Sequence, residues 1–70
     1  MTAVRTEVAG SVWKVEVAVG QSVAAGDALV IVESMKMEIP IEAPAAGTVV
    51  EIRVAEGERV AEGAVVVTLA

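Results

Sequence analysis

Residues 10–32, GSVWKVEVAVGQSVAAGDALVIV, and residues 47–69, GTVVEIRVAEGERVAEGAVVVTL, are two versions of one pattern. Gly10, Gly20 and Gly26 recur 37 positions on as Gly47, Gly57 and Gly63, and carrying the comparison back to Ala9 and Ala46 gives ten identities over 24 positions. Such density at one fixed offset marks a duplicated structural unit. Each half reads as strand, glycine turn, short strand, glycine turn, strand. Val15 and Val17 flank Glu16, and Ile52 and Val54 flank Arg53, a period of two that places apolar side chains on one face and charges on the other. Gly20, Gly26, Gly57 and Gly63 each close an Ala-x-Gly step, where a residue that tolerates positive φ lets an antiparallel chain reverse. Neither half can bury its apolar face alone. The expected fold is therefore all-β: a flattened barrel or sandwich in which two quasi-twofold halves close on each other and leave few open edges.

Composition narrows the function. Seventy residues make one domain with one core, close to the size below which a chain needs external staples. The chain is 56% hydrophobic and only 1% aromatic, so that core is built of Val, Ala, Ile and Leu. The net charge is −5, and the basic residues Arg5, Lys14, Lys36, Arg53 and Arg59 are scattered, so no phosphate-binding stripe forms and nucleic acid is not an expected partner. Apolar runs such as ALVIV are far too short for a bilayer and no signal-peptide core is present, so neither membrane insertion nor export is expected. Without cysteine there is no disulfide and no thiolate metal site, which suits the cytoplasm. Histidine, cysteine and tyrosine are all absent, removing the commonest proton-transfer and covalent-catalysis groups. The expectation is a non-enzyme.

The segment ESMKMEIPIEAP, residues 33–44, lies outside the repeat. In a twofold arrangement its counterpart is the gap between the chain ends, so it belongs at the pole opposite residues 1 and 70. Twelve residues between Asp27 and Pro40 contain no Gly, Pro, Asn or Asp, too many for one strand. The chain must reverse within them, which sets ALVIVE against MEIPIE as a hairpin with Met35 and Lys36 at the tip. Tight hairpin turns require positive φ, costing a non-glycine residue roughly 1–2 kcal/mol. A bend kept where Asn-Gly would relieve it suggests that side-chain identity matters there. The competing local structure is one helical turn, capped by Ser34 and stopped by Pro40. Met37 alternates with Ile39 and Ile41, so packing and recognition stay equally open for it, whereas Met35 has no packing role to explain it. Lys14, in the strand WKVEV, reads as a solvated face.

ESMKMEIPIEAPAAGTV resembles the biotin attachment motif, and AGSVWKVEVAVGQSVAAGD resembles the glycine-punctuated half that precedes it, so the likeness covers nearly the whole chain as one domain, residues 1–70. In length the chain is most similar to the stand-alone biotin/lipoyl attachment proteins of bacteria, biotinylated carriers like the biotin carboxyl carrier domains of carboxylases. The resemblance implies a barrel of two four-stranded antiparallel sheets with a lysine on a protruding hairpin. It implies that Lys36 accepts covalent biotin from a biotin protein ligase, that Met35 and Met37 are ligase-recognition residues, and that Glu33 helps present the hairpin. Ser34 stands where many members have alanine. No "thumb" insertion precedes Lys36, so the biotinyl arm is expected to swing freely.

A lysine in water at pH 7 is almost wholly ammonium, and amide formation needs the free amine, so activation falls to the ligase, as biotinyl-AMP. Lysine plus the biotin valeryl chain spans about eleven bonds, a reach of roughly 14 Å. By resemblance, that arm shuttles carboxybiotin between a biotin carboxylase and a carboxyltransferase, with the carrier itself a monomer. Most of the acidic surface reads as solubilising, and steering of encounter with basic partner patches is the alternative. A lipoyl carrier is the nearest alternative, although such domains usually carry Asp-Lys-Ala. An unmodified adaptor domain is another. A hydrolase on Ser34 and Lys36 lacks any arguable oxyanion hole, and Glu33, Glu38 and Glu42 read as solvated carboxylates, so no metal is expected.

Overall fold

The computed structural model describes residues 1–70 and is all-β. Its strands are β1 (Thr2–Arg5), β2 (Gly10–Val15), β3 (Ser22–Val23), β4 (Ala28–Ser34), β5 (Met37–Glu42), β6 (Gly47–Ile52), β7 (Arg59–Val60) and β8 (Val65–Leu69). They form two four-stranded sheets, ordered β1-β8-β6-β3 and β5-β4-β2-β7. All pairings are antiparallel. The chain reverses where the glycines predict: Gly20, Gly26, Gly57 and Gly63 have φ between 87° and 94°. Each is the third residue of a turn closed by a bond such as Gln21 N–H to Ala18 O, the type II geometry that wants glycine there.

The sheets are related strand for strand by the 37-residue offset, and the relation extends further than sequence identity reveals. Val30 opposite Ile41 repeats as Val67 opposite Val4, and Val32 opposite Ile39 repeats as Leu69 opposite Thr2. Gly26 N–H donates to Ala43 O and Gly63 N–H donates to Thr6 O, both at 2.8 Å. Residues 39–46 therefore have a counterpart in residues 2–9, which corrects the reading of 33–44 as wholly outside the repeat. Only residues 34–37, the loop and its closing pair, are unmatched. The missed pairs share register rather than identity, and Val4/Ile41 and Thr6/Ala43 share burial as well, whereas Thr2 is exposed where Ile39 is half-buried.

Thirteen buried apolar residues form the core, nine of them valine. Short branched side chains let the two sheets close on each other without a ring between them. β2 begins beside the β4–β5 hairpin, with Ser11 opposite Glu33. The chain leaving β2 turns at Gly20, whose N–H donates to Val49 O, and enters β3, which pairs with Gly47 and Thr48. Thr48 is bonded in turn to Ala70, and Thr2 lies opposite Leu69. One passage of β2 thus runs from the hairpin to both chain ends, along a body of 30 × 18 × 18 Å.

Candidate functional site at the β4–β5 hairpin

Glu33 opposite Glu38 and Ser34 opposite Met37 complete the hairpin ladder, leaving Met35 and Lys36 as its two-residue loop. Their φ angles are 53° and 65°, the pair of positive values that defines a type I′ turn. The hairpin prevails over the helical turn because β4 is paired on both sides, to β2 and β5, and both strands extend the ladder to the loop. Met35 is 93% exposed and Met37 is 65% exposed, so the alternation that would have turned Met37 inward stops at Ile39. Lys36 and Glu33 are exposed as well. The two ion pairs of the molecule join Lys14 to Glu16 and Arg53 to Glu51, and neither includes Lys36.

Below the loop the support is closely packed. Gly10 lies so close to β4 that a Cβ there would strike the Glu33 carbonyl oxygen and would come within 2.9 Å of Val32 Cγ1. The Glu33 and Glu38 side chains face each other across the ladder, whereas Glu42 lies at the far end of β5 opposite Ala28. A cavity of about 330 Å³ lies elsewhere, between β1 and β5, lined by Arg5, Val8, Ile39, Pro40 and Glu42 among others, and it does not include Lys36. The site is a projection. What it offers chemically is a primary amine in solvent, flanked by thioethers, on a fixed base, and that suits acylation by a visiting protein.

One residue that sequence reading missed is Trp13. The β2–β4 register shifts between Val12 and Lys14, a β-bulge that sets two residues of β2 against one of β4. Trp13 is 49% exposed as a result. The available signal was the spacing of the inward-facing Val12 and Val15, three apart instead of two, repeated by Val49 and Ile52.

A barrel whose distinctive projection is a lysine at a strained turn has the architecture of a carrier for a covalently attached group. The chain belongs to the biotin/lipoyl family, described as "Biotin-requiring enzyme", which it matches over residues 1–69. Domains of this family carry biotin or a lipoyl group on the protein and leave catalysis to others. Over 43 residues the chain is 51% identical to the "Biotinylated protein TB7.3 homolog" of Mycobacterium leprae, a match covering 61% of each chain. Over 40 residues it is 50% identical to the "Biotin/lipoyl attachment protein" of Bacillus subtilis, covering 57% of this chain and 55% of that one. These matches thus span about three fifths of each relative. Among solved structures, the urea carboxylase of Kluyveromyces lactis superposes with a TM-score of 0.94 at 35% identity, covering 99% of this chain and 6% of the carboxylase. A single-chain, multi-domain long-chain acyl-CoA carboxylase gives 0.89 at 35% identity, covering 94% of this chain and 7% of that one.

Proposed function

We propose that this chain is a biotin carrier of a carboxylase system and that Lys36 is its attachment residue. The observation that carries the reading is the Met35-Lys36 loop, where both residues hold left-handed backbone that Asn-Gly would adopt without strain. A biotin protein ligase supplies the activated carboxyl group. Lys36 Nζ gives up a proton and forms the amide, and AMP leaves. Met35 and Met37 offer flexible apolar contacts to the ligase, and Glu33 helps present the hairpin to it. Once attached, biotin carries a carboxyl group between an ATP-dependent biotin carboxylase and a carboxyltransferase. The tether raises its effective concentration at a docked partner. The cytoplasm, which supplies the ATP, is the compartment this chemistry needs. The relative named as biotinylated and the two carboxylases with this fold support the assignment. Met on both sides of the lysine favours biotin over lipoate.

The test is intact-mass analysis after co-expression with a biotin protein ligase. One biotinyl group is expected per chain, mapped to Lys36, and Lys36→Arg is expected to carry none. Label on Lys14, or a mass gain obtained only with a lipoyl ligase, would reject the reading.

A further inference from the structure

The internal duplication provides its own control surface. On the outer face of the hairpin-bearing sheet, Trp13, Ile31 and Pro40 lie side by side across β2, β4 and β5: Ile31 is opposite both Lys14 and Pro40, and Trp13 shares the bulge with Lys14. Trp13 and Pro40 are exposed and Ile31 is half-buried. The equivalent row on the other sheet, 37 residues away, is Val50, Thr68 and Ala3. Strand geometry, bulge and register are the same on both sheets, so folding does not demand the larger apolar row. It occurs only on the sheet that carries Lys36.

The next row toward the tip is Glu33 opposite Glu38. Like charges directly opposite on a ladder work against folding, and neither carboxylate takes part in an ion pair. A cationic group from outside would relieve both. We infer that Trp13, Ile31 and Pro40, with Glu33 and Glu38 beside them, form the docking face for the biotin protein ligase, met by an apolar centre with a basic rim. The geometry selects the ligase over the carboxylase partners. The Ile31–Pro40 row is three residues below Met37, roughly 10 Å along the strand, so a protein whose active site encloses the Lys36 amine covers it. Partners that engage a ring at the end of a roughly 14 Å arm stand further off.

This inference rests on the biotin reading above, and its test separates the two. Trp13→Val, Ile31→Thr and Pro40→Ala, singly and together, install residues that the equivalent strands already accommodate. Val50→Ser on the opposite face is the control, and far-UV circular dichroism melts confirm folding of each. With the ligase as enzyme, the triple variant is expected to raise KM for the carrier about tenfold at unchanged kcat, with Val50→Ser at the wild-type value. In protein grown with 5-fluorotryptophan, the single ¹⁹F resonance from Trp13 is expected to shift when ligase is added. A folded triple variant with wild-type KM, or a resonance unmoved at saturating ligase, overturns the docking face alone. Should Trp13→Val be the only folded variant, its KM decides in the same way. Failure of the wild type to be labelled at Lys36 removes the biotin reading and the docking face with it.

Discussion

Met35 and Lys36 are the two non-glycine residues with positive φ, and they are consecutive. A single left-handed residue costs roughly 1–2 kcal/mol, so the loop opposes folding by an amount comparable to a buried methylene group or more. Nothing within the barrel compensates, since Met35 is 93% exposed. The strain is therefore removable. Met35→Asn leaves Lys36 in place and suits the first central position of a type I′ turn. We expect it to stabilise the domain by about 0.5–1 kcal/mol, seen as a rise of roughly 3–6 °C in the melting midpoint, while biotinylation by the ligase slows. A midpoint at or below that of the wild type would mean that the turn stores no strain. This part of the site was legible in the sequence because a forced reversal without turn residues is visible as a contradiction. The inward or outward choice for Met37 was not legible, because alternation alone does not say where a strand leaves the core.

At the level of strands, the glycines divide into two kinds that look alike in the sequence. Gly20, Gly26, Gly57 and Gly63 serve turns, whereas Gly10 and Gly47 open strands and leave room for a neighbouring chain. A Cβ on Gly10 would overlap the Glu33 carbonyl oxygen, and one on Gly47 would come within 2.6 Å of Ala70 O. The equivalent positions differ in what can yield. Glu33 lies within β4, paired on both sides, while Ala70 follows the end of β8. Gly10→Ala is expected to cost about 1–3 kcal/mol and Gly47→Ala distinctly less, compared as urea midpoints at equal m-value. Equal losses would show that β4 shifts as readily as the chain end. Gly10→Ala also displaces the strand that leads to Lys36, so its ligation should fall in step. The bulges escaped the sequence reading for a related reason. Val15 and Val17 alternate with Glu16 on one side of the bulge, and the added residue falls before them, between Val12 and Lys14, where no alternating pair marks it.

For the whole molecule, the twofold relation makes two poles out of one set of strands: the hairpin occupies one and the chain ends occupy the other. The repeat made that division legible before any coordinates. Its true extent was not, because register and burial outlast identity in pairs such as Val4 and Ile41. The poles can be tested with two turns that are copies of each other. The β6–β7 turn lies at the hairpin pole, where Gly57 N–H donates to Val12 O and Val12 N–H donates to Glu58 O. The β2–β3 turn lies at the other pole, where Gly20 N–H donates to Val49 O and Val49 N–H donates to Gln21 O. A small folded domain on flexible linkers can be inserted between Glu56 and Gly57 or between Val19 and Gly20. Loop closure makes the cost to stability similar for two turns of the same geometry. Ligation should separate them: the insertion after Glu56 is expected to raise KM for biotinylation severalfold by crowding the ligase, and the insertion after Val19 to leave it near the wild-type value. Equal KM values for the two insertions, with equal melting midpoints, would show that the ligase approaches along the hairpin axis without touching the barrel below it.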